Sequence, residues 1–286
     1  MSEITTIEAN GLEFACLVSG PSRGPLALLL HGFPDTPHSW RHLRPALAEA
    51  GYRVVAPYLR GYAPTSIPAD GAYQTGALAS DANALHEAFG GDESAIIVGH
   101  DWGAAATYGA LAAAPERWRR AVTMALPPIN ALLGGFFSYE QLKRSFYIFL
   151  FQTPLAEMVL DDGFIAGLWR DWSPGHDEDL SPVFAALGTP ENKAAAIGYY
   201  RAMLDPSRHL VRYAAAQKAA DGPGTVPLLY LHGADDGCLG ADVIGLDGAL
   251  LDHLPPGSRT ELVPDAGHFL QVERPEKVNA AVLGWV

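Results

Sequence analysis

The chain reads as an α/β protein: a β-hairpin, then strand–helix alternation that builds a mostly parallel, doubly wound sheet carrying an inserted helical cap. Three observations predict this. Short, continuous apolar runs at 26–30, 95–98 and 226–231 stop at or beside a turn residue, as strands buried on both faces do. Segments of helical spacing separate the first strands. After Pro127-Pro128 the character changes to helical patterns without a convincing strand, dense in aromatic residues between Tyr139 and Trp172, and the buried-strand pattern then resumes.

Taken in order, residues 3–10 and 12–19 alternate around Asn10-Gly11, a two-residue hairpin signal. The apolar run 25–30 ends at His31-Gly32. Residues 38–50 predict one helix with Trp40, Leu43, Leu47 and Ala50 on one side, stopped by Gly51. A strand at 52–57 leads into the turn-rich Leu59-Arg60-Gly61-Tyr62-Ala63-Pro64, and a helix at 75–89 ends at Gly90-Gly91. Residues 94–106 predict a strand, a very tight turn with Asp101 at its apex, and a helix start; small residues around the apex let the backbone bend and hold one side chain above the sheet edge. A strand at 121–126 follows. Helical patterns fill 138–221, the turn at 221–224 closes them, and strands at 226–231 and 259–263 precede a final helix from about 275. The expected division is therefore 1–127 and 225–286 for the sheet domain and 128–224 for the cap. A second independent domain is the weaker alternative, because the sheet pattern returns.

With 286 residues, 49% of them hydrophobic, the chain is ample for one α/β domain plus an insertion. Its net charge of −13 speaks against nucleic acid or an anionic membrane as partner, since phosphate binding needs clustered Lys and Arg. Cys16 and Cys238 are far apart and lie in no Cys-x-x-Cys, so a reducing, cytoplasmic setting, no metal site and no cysteine nucleophile are expected. The N-terminus lacks the pattern of a signal peptide, and no apolar run is long enough to span a bilayer. Monomer and homodimer both stay open.

Three further stretches follow strand ends, where an open parallel sheet assembles its site: His31-Gly32-Phe33-Pro34, His232-Gly233-Ala234-Asp235-Asp236 and Asp265-Ala266-Gly267-His268. Together with Asp101 they give the order nucleophile, acid (Asp235 or Asp236), histidine. A lone strand-end His is more often a structural hydrogen-bonder, and an isolated Asp-Asp a turn or cap; as an ordered set they point to catalysis.

In this order the chain resembles the α/β-hydrolase superfamily along essentially its whole length. The resemblance implies an α/β-hydrolase fold, no cofactor, and, from the family's Gly-x-x-Asp pattern, Asp236 as the acid. It implies Asp101 as nucleophile, His268 as general base, and the backbone N–H groups of Phe33 and Trp102 as oxyanion hole. A carboxylate nucleophile fits attack on an alkyl carbon, because the resulting ester has a carbonyl that water can attack, whereas serine would leave an ether. The expected substrates are thus epoxides or haloalkanes rather than esters or amides.

Two cap segments, Tyr147-Ile148-Phe149-Leu150-Phe151-Gln152-Thr153-Pro154 and Tyr199-Tyr200-Arg201, resemble those of epoxide hydrolases and place ring-opening proton donors at Tyr147 and Tyr200, with Tyr199 as packing. His31-Gly32-Phe33-Pro34-Asp35 also fits that family; Phe33 and Trp102 depart from haloalkane and fluoroacetate dehalogenases, respectively. The expected function is hydrolysis of a small apolar epoxide to a vicinal diol. A haloalkane-type dehalogenase is the alternative, and a non-catalytic ligand-binding protein on a hydrolase fold a lower one. His31, Pro34, Phe146, Phe151 and Trp169 are the expected pocket residues, with Phe136, Phe137, Phe149 and Trp172 as further cap aromatics.

Overall fold

A computed structural model describes residues 4–220, 224–245 and 249–286. Eight strands form one sheet in the order β1-β2-β4-β3-β5-β6-β7-β8. They are β1 (Ile4–Ala9), β2 (Leu12–Ser19), β3 (Leu26–Leu30), β4 (Arg53–Pro57), β5 (Ile96–His100), β6 (Arg120–Met124), β7 (Leu228–Gly233) and β8 (Arg259–Val263). The β1–β2 hairpin joins β4 antiparallel, and every other pairing is parallel. The turn is Asn10-Gly11, with both residues at positive φ, as the hairpin reading requires.

The continuous apolar runs are explained by helices on both faces of the sheet. Helices α1 (Leu43–Glu49) and α13 (Pro275–Trp285) cover one face, where Ala27, Leu29, Ile96 and Val98 point; α2 (Thr75–Ala88) and α3 (Trp102–Ala113) cover the other, where Leu28, Leu30 and Ile97 point.

Between β6 and β7 the chain leaves the sheet through α4 (Ile129–Phe136), α5 (Tyr139–Arg144), α6 (Phe146–Leu150), α7 (Ala156–Val159), α8 (Asp162–Trp172), α9 (Ser181–Ala186) and α10 (Pro190–Leu204). The next helix, α11 (Ala214–Ala220), already packs on α2 and α3, so the excursion rejoins the sheet layers before residue 220. Most of the expected closing turn at 221–224 lies outside the described residues.

The expected single helix at 38–50 is instead a 3-10 turn at Pro37–Arg41 followed by α1. Pro45 has no N–H to donate to the Arg41 carbonyl and its ring crowds that position, so an unbroken helix cannot run through it. A short helix α12 (Leu270–Glu273), unforeseen from the sequence, follows His268. Among the described residues no helix is long and apolar enough to cross a membrane.

Candidate active site

The loops leaving the carboxyl ends of β3, β5, β7 and β8 converge under the helical excursion. Asp101 sits between β5 and α3 with φ 51° and ψ −119°, a conformation costly for a residue with a side chain, by about 1–3 kcal/mol. The bend holds because its flanks are bare: a Cβ on Gly99 would run into the Gly103 carbonyl, and one on Gly103 into the Leu30 carbonyl. The Asp101 carbonyl then accepts from the Ala104 and Ala105 N–H groups and starts α3.

The carboxylate of Asp101 is divided in its contacts. Oδ1 accepts from the Phe33 N–H at 2.8 Å, and the Trp102 N–H also favours the charge. Oδ2 faces His268 Nε2 at 3.8 Å. Burial is the largest influence and raises the Asp101 pKa, partly offset by His268 and the two N–H groups.

His268 Nδ1 lies 3.0 Å from Asp236 Oδ2, while Asp236 Oδ1 accepts from the Cys238 and Leu239 N–H groups at 2.7 and 2.9 Å. Asp236, not Asp235, is therefore the acid facing the histidine. Burial works against charge on both partners, yet their mutual attraction prevails: the pKa of His268 is raised and that of Asp236 lowered. His268 Nε2 is buried with no hydrogen-bond partner among the described residues and points toward Asp101. The last residue of α8 braces both loops, since the Trp172 carbonyl accepts from the Gly237 and His268 N–H groups.

Tyr147 and Tyr200 stand across from these groups, their rings 5.4 Å apart and both packed on Phe33. The phrases Gln152 and Tyr200-Arg201 have a physical role here. Gln152 donates to the Tyr200 carbonyl, and Arg201 donates to the Phe151 and Thr153 carbonyls, so α6 and α10 are tied side by side and the two phenols are brought together. Burial raises both phenol pKa values well above 10.0, and the charge of Asp101 adds to this in each case. Tyr199, whose ring borders the same space, spends its hydroxyl as a donor to the Arg60 carbonyl at 2.9 Å.

Asp101, Trp102, Tyr147, Tyr200 and His268 all line one cavity of about 550 Å³. The expected pocket residues are placed otherwise, and this corrects the pocket reading. His31 is buried beneath the site, its Nε2 accepting from the Leu59 N–H and its pKa lowered by burial to about 3. The Pro34 carbonyl accepts from Trp169 Nε1, which joins the two behind the site. Phe151 is wholly buried against Phe33, Tyr147 and Tyr200, and Phe146 is half exposed. None of the five lines the cavity. Its walls come from Leu126–Pro128, α4 and Phe137, with Leu239, Leu254 and Pro255 also contributing. Of the further cap aromatics, Phe136 and Phe137 belong to this lining and Phe149 and Trp172 do not.

Cys238, expected only not to be a nucleophile, is also a cavity residue. Cys238 is buried beside the acid, with Sγ 3.5 Å from the Tyr147 hydroxyl. Its position two residues after Asp236 was the available signal. Asp236, Cys238 and His268 have ligand atoms close enough to hold a metal ion, but Asp236 already spends one oxygen on two N–H groups and the other on His268.

Residues 25–275 match the family model described as the alpha/beta hydrolase fold. The chain is 31% identical to epoxide hydrolase A of Mycobacterium tuberculosis, over 97% of this chain and 95% of that protein. It is 30% identical to epoxide hydrolase 3 of Xenopus tropicalis, over 96% of this chain and 74% of that one. The crystal structure of epoxide hydrolase A from Mycobacterium thermoresistibile superposes with a TM-score of 0.78 at 28% identity, covering 99% and 98% of the two chains. The chain belongs to the α/β-hydrolase family, within the branch that holds these epoxide hydrolases.

Proposed function

We propose that this protein is an epoxide hydrolase that converts an apolar epoxide and water to a vicinal diol through an ester on Asp101. The observation that carries this reading is an aspartate at the apex of the strand–helix turn, one oxygen held by backbone N–H groups and the other facing a histidine, in a cavity shared with two phenols. Asp101 Oδ2 attacks one oxirane carbon, and the C–O bond of the ring breaks. Tyr147 and Tyr200 hydrogen-bond the departing oxygen, and one of them gives it a proton. Their raised pKa values keep both protonated at neutral pH, as proton donors must be.

His268 Nε2 then takes a proton from water, and the hydroxide attacks the Asp101 carbonyl carbon. Negative charge gathers on Oδ1, which the Phe33 and Trp102 N–H groups hold; in other enzymes one such donor contributes about 3–4 kcal/mol. Asp236 orients His268 and balances the imidazolium. Collapse releases the diol and restores the carboxylate, and the proton on His268 replaces the one the phenol gave. Epoxide plus water thus become diol with nothing left over. The halide reading is weaker because it needs indole N–H groups aimed at the leaving group, and that of Trp169 is spent on the Pro34 carbonyl.

Trapping the ester tests the proposal. In His268→Gln the first step remains and the second fails, so mixing with an epoxide should raise the protein mass by one substrate, on the peptide that carries Asp101. An unmodified Asp101 peptide overturns the covalent route. Halide release from chloroalkanes, without diol from epoxides, would turn the reading to dehalogenation.

A further inference from the structure

The cavity over Asp101, at about 550 Å³, has the size of pockets that enclose drug-sized ligands rather than the smallest epoxides. One of its walls is α4, whose Ile129, Leu132, Leu133 and Phe136 all face it; Leu133 is also half exposed, so the wall runs from the interior to solvent. Among the described lining residues there is no Lys or Arg, the acidic ones are Asp101 and Asp252, and the histidines are His209, His253 and His268. Residues 221–223 and 246–248, outside the described set, contain no Lys or Arg by sequence either.

From this we infer that the enzyme selects uncharged epoxides carrying an extended hydrocarbon substituent laid along α4, and rejects anionic epoxides of the same shape. A carboxylate drawn into this cavity would lose its hydration with no Lys or Arg to replace it, next to the negative charge that Asp101 needs for attack. The overall charge of −13 opposes its approach as well. The inference rests on the epoxide hydrolase reading and adds to it which epoxides the site takes.

The test compares an ω-epoxyalkanoate with the ω-epoxyalkanol of equal chain length at about pH 8, above the ordinary histidine range. The alcohol should be preferred about 100-fold in kcat/KM. Leu133→Arg, at a half-exposed position that tolerates a long side chain, should raise kcat/KM for the carboxylate about tenfold and narrow the ratio. A wild-type ratio near one overturns the charge selection, and a ratio unmoved by Leu133→Arg overturns the role of α4. Calorimetric binding of both compounds to Asp101→Asn reads the selection without chemistry. If the alcohol binds more tightly there but no diol ever forms in the wild type, the charge selection stands and the hydrolase reading falls; equal binding to this variant, which lacks the Asp101 charge, overturns the part of the selection assigned to the missing Lys or Arg.

Discussion

The two sides of the active site are built by opposite physics. On the sheet side each charged group is held by directed hydrogen bonds: Asp101 by the Phe33 N–H, Asp236 by those of Cys238 and Leu239, and His268 by the Asp236 carboxylate at its ring and by the Trp172 carbonyl, at the end of α8, at its backbone N–H. On the helical side the two phenols are held chiefly by aromatic packing, with Phe33, Phe151 and Trp102 around them. Charge needs fixed dipoles to survive burial, whereas a neutral proton donor needs only its ring wedged in place. In the proposed mechanism the sheet side carries the covalent steps, and the helical side the leaving-group proton and the choice of substrate.

Substitutions can separate the two sides. The largest effect is expected on the sheet side: Asp101→Asn should lower diol formation by about 10⁴-fold or more and leave no mass adduct, read by product chromatography and mass spectrometry. Tyr147→Phe and Tyr200→Phe should each slow ester formation by about 10²-fold while hydrolysis of the formed ester keeps its rate, read by single-turnover kinetics. Equal slowing of both steps would mean that the phenols serve structure and not ring opening.

The acid limb of the pH profile probes the sheet side, and its alkaline limb the phenols. The pKa values of Asp101 and His268 are both raised, and both groups act deprotonated, so turnover should fall as pH drops through the raised His268 value, on an acid limb displaced above the ordinary 6.5. On the alkaline side it should hold until beyond 10.0, where the phenols lose their protons. An acid limb near the ordinary carboxylate range would remove His268 as the base.

The smallest effect lies where the two sides meet at the surface. Arg41 reaches Glu178 through two 2.9 Å bonds, and removing it in Arg41→Ala should cost about 0.2–1 kcal/mol in urea unfolding, with turnover unchanged.

The same divide governs how much could be read from the chain. Asp101 and His268 were legible because a buried strand announces itself by an apolar run, and the residues just after it are bound to lie at the sheet's edge. Tyr147 and Tyr200 were reached through the epoxide hydrolase resemblance, since helical spacing alone does not say which hydroxyl of Tyr199-Tyr200 is spent elsewhere; both rings line the cavity, and the Arg60 carbonyl takes the Tyr199 hydroxyl. Pocket composition was read poorly. His31, Pro34, Phe146, Phe151 and Trp169 are near the right elements but do not line the cavity, and α4 and Cys238 do.

By itself the sequence determined the α/β class, the late helical run and the placing of Asp101, Asp235-Asp236 and His268 after strand ends, because these follow from local pattern and from the topology of a parallel sheet. Only the tertiary structure decided which way each cap side chain turns, where α4 lies and that no Lys or Arg lines the cavity among the described residues, because those depend on how distant segments pack, and no periodicity along the chain encodes that.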